Sequence, residues 1–342
     1  MPGLWTRPAT AIPRPDLVGP LMMSGSRVQG CVGHEIFVPK LVDKSRDNFD
    51  KIDATELNRL PSDKRARSTP RNRVDLARAT DNYATDGHGL ELPISWEDQA
   101  DRPGEDHEDF AAGTIFEWLV LNHEQAVVTM ATGETTWAAS GTTGKTVSTP
   151  WDVAGGTPYA DVQVGKDQLC KANNCSPDDL LLVLPQHGLD FLPLNTDYKS
   201  RMQITTQRFA GQITEAEAAL YFGVGRVKAA RAGWNSANRG AAEVSARLWP
   251  NTYAFLCLPA KSKEDPVLKP QLGRTFVWPG FGDMASMIAT AGARNSGYDG
   301  LPCAIGSYVD EKTASDVVCG DTWYDIKRFD LRYGYSFKSI GT

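Results

Sequence analysis

The sequence has no long apolar run. A bilayer-spanning helix needs about 20 consecutive apolar residues, and no stretch of the 342-residue chain approaches that length. The first 20 residues are rich in proline and have no continuous apolar core of the kind found in signal peptides. We therefore expect a chain that neither enters a membrane nor is exported, with an extended N-terminal arm that needs a partner to become ordered.

The sequence also lacks paired cysteine motifs. None of its cysteines forms a CxxC, and Cys170 and Cys175 have no second pair nearby to complete a zinc site. An intracellular chain of this size needs no disulfide framework, because it is long enough to bury a large core. We expect reduced, mostly buried thiols. The cysteines are Cys31, Cys170, Cys175, Cys257, Cys303 and Cys319.

Hydrolase motifs are missing as well. His123-Glu124 has the beginning of a zinc-protease HExxH motif, but Val127 stands where the second histidine would be. The other histidines are far apart in the chain, and there is no GxSxG sequence around a nucleophilic serine. The chain is therefore not expected to be an enzyme, to bind a metal or to carry a cofactor.

Residues 139–146 come close to a phosphate-binding P-loop without meeting its requirements. That loop needs glycine at its first position and a helix directly after it, whose N-terminus faces the phosphate. Ala139 occupies the first position, and Pro150 and Gly155 follow where the helix should run. The sequence therefore argues against nucleotide binding.

A net charge of −6 argues against a protein whose whole surface grips nucleic acid. Within this acidic chain, residues 64–78 are basic, with Asp75 as their only acid and Val74 and Leu76 as their only large apolar residues. Such a segment cannot bury a core and is predicted to protrude. It lacks aromatic residues for stacking on bases, which disfavours a nucleic-acid tail. Its basic residues are Lys64, Arg65, Arg67, Arg71, Arg73 and Arg78.

The sign of the charge reverses downstream, where Arg102 is the only basic residue in a strongly acidic stretch. The two stretches could pair between copies of the chain, or each could be an ordinary solvated surface. One exposed ion pair contributes only about 0.2–1 kcal/mol, but repeated identical contacts would add up and set the register of association. The acids are Glu97, Asp98, Asp101, Glu105, Asp106, Glu108 and Asp109.

Residues 108–131 are predicted to form a long helix. Apolar residues recur there at steps of three and four, acids concentrate near the start, and Gly133 follows the last apolar position. At about 1.5 Å per residue, this helix would be roughly 36 Å long. Asn122, Glu124 and Gln125 are expected to form its polar face, toward solvent or an enclosed lumen.

The remaining pattern is that of an α+β protein. A strand is predicted at 35–38, a helix at 49–60, a helix opened by Pro158 at 159–171, and a buried strand at 180–184. Thr214 and Glu217 form a capping box before another helix. Strands are predicted at 253–258, 274–278, 303–309 and 323–335. Residues 214–231 have a helix-turn-helix pattern, for which we favour a packed helical hairpin over a DNA reader.

In this order, the segments resemble the major capsid proteins of tailed phages with the HK97-like fold. Basic residues at 71–78, Tyr83, the sequence His-Gly-Leu-Glu at 88–91, the acidic run and the long helix follow one another as in that family. Trp151, Pro158 and Asp161 resemble the residues that lead into the axial domain in that family. The segments 180–184, 213–235 and 275–278 resemble a buried strand, a helical segment and a late strand. The resemblance covers roughly residues 45–340.

The resemblance implies an N-terminal arm at 1–45, an extended E-loop region at 46–107 and a peripheral domain at 108–155 that contains the long helix as its spine. It further implies an axial domain at 156–249 and returning peripheral strands at 250–342. The E-loop would lie across a neighbouring subunit. No residue of the family's covalent cross-linking chemistry can be assigned.

The function implied is that of a shell subunit forming hexamers and pentamers of an icosahedral capsid around double-stranded DNA, assembled in the host cytoplasm. Its partners would be copies of itself, portal and scaffolding proteins, possible decoration proteins, and DNA held by weak non-specific contact. An encapsulin-like cargo shell and a DNA-binding regulator that uses residues 214–231 are the alternatives.

Overall fold

The computed structural model describes residues 12–13, 28–65, 67, 69–103, 106–133, 135–153, 155–202, 213–238, 240–279, 301 and 303–341. Its α-helices are α1 (Gly33–Ile36), α2 (Ala54–Leu57), α3 (Trp96–Asp101), α4 (His107–Thr132), α5 (Pro158–Asn173), α6 (Gln186–Phe191), α7 (Thr196–Met202) and α8 (Glu215–Phe222). Short 3-10 turns occur at Val28–Gly30, Pro177–Asp179, Leu192–Leu194 and Leu331–Tyr333.

The strands alternate with these helices only in the middle of the chain, so the protein is α+β, as predicted. They are β1 (Ile12–Pro13), β2 (Pro39–Leu41), β3 (Arg46–Ile52), β4 (Arg78–Ala84), β5 (Asp86–Ser95), β6 (Gly144–Thr146), β7 (Leu181–Pro185), β8 (Arg226–Ala230), β9 (Gly233–Asn235), β10 (Ser245–Arg247), β11 (Tyr253–Cys257), β12 (Gly273–Val277), β13 (Ala304–Asp310), β14 (Ser315–Arg328) and β15 (Gly334–Lys338).

One sheet, the β14 sheet, is built around the 14-residue strand β14. Residues 315–321 of β14 pair with β13, residues 324–328 pair with β12, and β5 runs antiparallel along residues 315–324. The sheet is completed by β1 beside β13 and by β2, which lies parallel to β12. The N-terminal region is thus joined to the returning strands of the C-terminal region.

A second sheet, the β11 sheet, has the order β6-β15-β11-β7-β8. Its strand β7 is buried along its whole length, because α5 and α8 pack nearby and their apolar residues join the same core. Strands from the segments 108–155, 156–249 and 250–342 therefore meet in one sheet.

The long helix α4 links the cores of the two sheets. Ile115 and Leu119, in its first half, pack in the core of the β14 sheet. Val127 and Ala131, near its end, pack in the core of the β11 sheet. The helix ends before Gly133, and its 26 residues exceed the predicted range of 108–131 by one residue at each end. Among the described residues, no helix is long and apolar enough to span a membrane.

Several predicted elements are confirmed with small shifts at their ends. Helix α5 begins with Pro158 at its first turn. Helix α8 begins with the capping box in which Thr214 and Glu217 satisfy each other's backbone N–H groups. The strands predicted at 180–184, 253–258, 274–278 and 303–309 correspond to β7, β11, β12 and β13.

Other predictions near the N-terminus were wrong. Residues 33–36 form a helix rather than a strand at 35–38, because the N–H groups at its start are held by a buried side chain described below. Residues 46–52 form strand β3, and only residues 54–57 of the predicted helix 49–60 are helical. Pairing of β3 with β4 overrides the local helical pattern.

The helix-turn-helix and the packed helical hairpin predicted at 214–231 are also contradicted. Gly223 adopts a left-handed conformation that ends α8, and residues 226–230 form strand β8 parallel to β7. A DNA reader at this place has no second helix to insert into a groove. The strand predicted at 323–335 is interrupted by the 3-10 turn at Leu331–Tyr333, which separates β14 from β15.

Candidate assembly surfaces and the buried centre of the long helix

Strands β3 and β4 form an antiparallel ribbon whose connection projects from the protein. Arg46 pairs with Ala84 at one end of the ribbon, and Ile52 pairs with Arg78 at the other. Every described residue from 57 to 80 is exposed, including Leu60 at 96% exposure. We call residues 57–80 the projection; it corresponds to the protruding segment expected from the sequence.

The basic residues of the projection differ in their surroundings. Arg78 lies in the ribbon, and its guanidinium is 3.9 Å from the Asp50 carboxylate across the pair of strands. Beside it, Lys51 and Asp81 form a closer ion pair at 2.7 Å. Arg59, near the start of the projection, lies 3.5 Å from the Glu56 carboxylate. The remaining basic residues lie beyond the ribbon on the exposed connection; they are Lys64, Arg65, Arg67, Arg71 and Arg73. They are the charges most available to a second molecule.

An aromatic cluster fixes the root of the ribbon to the β14 sheet. The ring of Tyr83 stacks on that of Phe276 at 4.5 Å between centroids. Phe49 lies 5.2 Å from Phe276 and 5.1 Å from Phe329. The backbone N–H of Ala84 also donates to the Asp325 carboxylate at 2.9 Å. The direction in which the projection leaves the protein is therefore set by packing.

The acidic surface lies on α3 and the start of α4. Trp96 Nε1 and Gln99 Nε2 donate to the Asp316 carboxylate at 3.2 and 3.0 Å, which holds α3 against β14. The carboxylates of Glu97, Asp98 and Asp101 are on exposed residues of this helix.

The remaining acids lie where the chain enters α4. Asp106 is exposed, Glu108 and Asp109 are half-buried in the first turn, and Glu105 lies outside the described residues. Phe110, which follows them, is 74% exposed. The two sets of charges predicted from the sequence thus lie on different elements, one on the projection and the other on α3 and the start of α4.

The middle of α4 contains a buried polar site, and the position predicted for its central residue was wrong. Glu124, which was expected on the polar face of the helix, is fully buried. Its carboxylate accepts hydrogen bonds from the backbone N–H groups of Val32 at 3.0 Å and Gly33 at 2.6 Å, and from Trp249 Nε1 at 3.1 Å. Three distant segments of the chain therefore meet at one carboxylate.

Burial raises the pKa of Glu124, while its three hydrogen bonds act to lower it. Burial, together with the nearby Glu124 carboxylate, also raises the pKa of the Cys31 thiol. Gly33 fits this site because it has no side chain. A Cβ at that position would lie 2.7 Å from Glu124 Oε2 and 3.0 Å from Val127 Cγ2.

His123, the neighbour of Glu124, is also fully buried. Its Nε2 lies 3.2 Å from Thr275 Oγ1, and its ring meets that of Tyr324 edge-on at 5.0 Å. Burial lowers the pKa of His123 to about 3, with His34 and His88 acting in the same direction. The ring is therefore neutral at ordinary pH and is a packed polar group.

The loop at residues 139–146, whose sequence comes close to a P-loop, has a structural role. Lys145 Nζ donates to Asp161 Oδ1 at 2.6 Å, and Trp151 Nε1 donates to Asp161 Oδ2 at 2.8 Å. Gly144–Thr146 is a strand that pairs with β15, so no helix follows the loop. Among the described residues, no group of three or more His, Cys, Asp or Glu side chains is placed to hold a metal.

The sequence matches no protein-family model and no curated protein. Solved structures do match over nearly the whole chain. A phage-related protein from Bordetella bronchiseptica RB50 superposes with a TM-score of 0.69 at 16% identity, covering 96% of this chain and 98% of that chain. A subunit from the capsid of cyanophage P-SCSP1u superposes with a TM-score of 0.58 at 10% identity, covering 91% of this chain and 89% of that chain.

A virus-like particle from Pyrococcus furiosus also matches, with a TM-score of 0.50 at 9% identity and coverage of 94% of this chain and 98% of that chain. At these identities the comparisons establish the fold. The β14 sheet, the β11 sheet and the long helix that links them are thus arranged as in these structures, and the chain has the HK97-like fold.

Proposed function

We propose that this chain is the major capsid protein of a tailed phage, forming hexamers and pentamers of an icosahedral shell around double-stranded DNA. The observation that carries the proposal is the match of 91% of the chain to a subunit in the capsid of a cyanophage. An acidic subunit suits this role, because a shell that must release DNA is served by weak, non-specific contact with it. Portal and scaffolding proteins are the further partners that such a role requires.

In this proposal, residues 1–45 are the arm and 46–107 the E-loop region. Residues 108–155 and 250–342 form the peripheral domain, and 156–249 contribute the axial domain at the centres of hexamers and pentamers. The projection supports the E-loop assignment, because its described residues are exposed while its root is fixed by aromatic packing.

Sedimentation velocity of the purified chain tests this function, combined with the ratio of absorbance at 260 and 280 nm before and after nuclease treatment. We expect rings or megadalton particles, and in particles from infected or lysogenic cells a nuclease-resistant nucleic-acid signal. Particles that contain only protein cargo would favour an encapsulin-like shell. A chain that stays monomeric or dimeric at high concentration would contradict the proposal.

We further propose that the projection of one subunit contacts the acidic surface of the next. The support is electrostatic, since five exposed basic residues lie on one surface and exposed carboxylates on another of the same subunit. Complementary patches on two molecules favour association and set its register. Many copies of a weak exposed ion pair would then act together.

A carbodiimide, which couples only amines and carboxylates in direct contact, tests this interface. Lys64 supplies an amine in the projection, and the charge-preserving changes Arg71→Lys and Arg73→Lys add two more. In particles assembled from mixed light and heavy-isotope subunits, we expect light–heavy links from these lysines to Glu97, Asp98 or Asp101. Lys199, exposed on α7, is the control amine and should form no such link. Links confined to one chain, or to other surfaces, would contradict the contact.

A further inference from the structure

An open groove of about 870 Å³ lies between α4, β5 and the β9–β10 hairpin. Its apolar walls are Trp118 and Leu121 from the helix, Leu90 from β5, and Trp234 and Leu248 from the hairpin region. Trp118 and Trp234 are each 44% exposed. Two half-exposed indoles facing one groove are costly to leave in water, so this surface is suited to an apolar occupant.

The N-terminal region enters the described structure at the rim of this groove. The carbonyl of Gly30 accepts hydrogen bonds from the N–H groups of Arg231 at 2.9 Å and Ala232 at 3.2 Å. Ala232 directly precedes the groove residue Gly233. Val28 is buried in the same core as Leu248. Further along, the bonds of Val32 and Gly33 to Glu124 fix this part of the chain to the helix.

The segment that leads to this point has the composition that the groove requires. Residues 14–27 run from Pro13, which pairs with Gly306 in β13, to Val28 at the rim. Fourteen residues can span up to roughly 50 Å when extended. Methionine fills irregular apolar surfaces well. The apolar side chains of the segment are Leu17, Val18, Leu21, Met22 and Met23.

One wall residue also needs a hydrogen-bond donor. Gln125 Oε1 is shielded from solvent and accepts no hydrogen bond from the residues that the structure describes. A buried acceptor without a partner costs about 1–3 kcal/mol. A backbone N–H of an extended segment in the groove would satisfy it.

We propose that residues 14–27 dock in this groove of their own chain, with the apolar side chains of residues 17–23 against Trp118 and Trp234. Continuity of the chain at Val28 favours this occupant over a second copy. The docked segment would cover the outer face of α4 and connect β13 to the Glu124 site. This inference concerns the folded subunit and does not depend on the proposed function.

A photo-cross-linking amino acid, p-benzoyl-phenylalanine, placed at Met22 in the full-length subunit tests the proposal directly. In a mixture of light and heavy-isotope subunits, we expect cross-links to residues 118–125 or 233–248 of the same chain. The matched control carries the same amino acid at Leu60, a 96% exposed position on the projection. Cross-links from Met22 to another copy or away from the groove, or cross-links from position 60 to the groove walls of the same chain, would overturn the proposal.

Hydrogen exchange gives a second readout that needs no new side chain in the groove. Leu17, Val18, Leu21, Met22 and Met23 are replaced together by serine in the unassembled full-length chain. We expect amides of residues 233–248 to exchange about tenfold faster, because the hairpin loses its cover. The control replaces Leu60, Val74 and Leu76, exposed apolar residues of the projection, by serine and leaves that rate unchanged. Equal exchange in the two variants and the parent chain would overturn the proposal.

Discussion

The middle of α4 and the projection both carry charged side chains, in opposite surroundings. Glu124 is fully buried, and its carboxylate is satisfied by Val32, Gly33 and Trp249 of the same chain. Arg71 and Arg73 lie on a segment whose described residues are all exposed. A buried charge must find its partners within the fold, because losing water is costly. An exposed charge costs little and remains free for another molecule.

This difference separates residues that maintain the subunit from residues that we assign to contacts between subunits. Changes at the helix centre should unfold the subunit, and changes on the projection should leave it folded while altering association.

The variant Glu124→Ala should lower the free energy of unfolding by about 3–5 kcal/mol. It leaves the N–H groups of Val32, Gly33 and Trp249 buried without their acceptor, and unsatisfied buried donors are costly. Denaturant unfolding followed by circular dichroism measures the loss. Asp101→Ala, on an exposed acid, is the matched control and should leave the midpoint unchanged. A loss no greater than that of the control would show that the buried carboxylate does not hold the three segments together.

Replacing Phe49 by alanine should cost about 2–3 kcal/mol, less than the removal of a fully buried phenylalanine because Phe49 is only half-buried. The variant removes the ring contacts to Phe276 and Phe329 that fix the root of the projection. Amides of β3 and β4 should exchange faster with deuterium. Leu60→Ala, at 96% exposure, should change neither quantity. If Phe49→Ala were equally silent, the aromatic cluster would not anchor the ribbon.

The pH dependence of stability tests the neutral state of His123. Burial lowers its folded-state pKa from 6.5 to about 3. The unfolded chain therefore takes up this proton first as the pH falls, so the contribution of His123 is present above pH 6.5 and is lost toward pH 3. His123→Gln should flatten the pH dependence of the unfolding free energy over this range. An unchanged slope in His123→Gln would contradict the buried neutral ring.

Much of the architecture could be predicted because it depends on local sequence patterns. The apolar period gave the long helix, Pro158 marked the start of α5, and the Thr214–Glu217 capping box marked the start of α8. Local pattern failed where pairing between distant segments decided the outcome. Strand β3 forms because β4 pairs with it, and residues 226–230 become a strand because β7 offers an edge.

Of the candidate site, the sequence predicted the protruding segment but not the buried position of Glu124. Composition alone indicated that residues 64–78 protrude, since they contain almost nothing to bury. Glu124 was misplaced because a single acid in an amphipathic helix looks like a solvent-facing residue. Its partners are more than 90 residues away in sequence, at Val32 and Gly33 on one side and at Trp249 on the other. The run of four polar residues at 122–125 gave no sign of which of them face the interior.

The central claim is that exposed charge on the projection serves assembly. The variant that tests this claim most directly is the one with the smallest expected effect on stability. The variant Arg71→Glu with Arg73→Glu is compared with Lys199→Glu with Lys261→Glu, which changes the net charge equally on exposed residues away from both surfaces. We expect both to unfold at the parent midpoint, and only the projection variant to lose about tenfold or more of its particle yield in sedimentation. Normal particle yield from the Arg71 and Arg73 variant, or equal loss in both, would contradict the account.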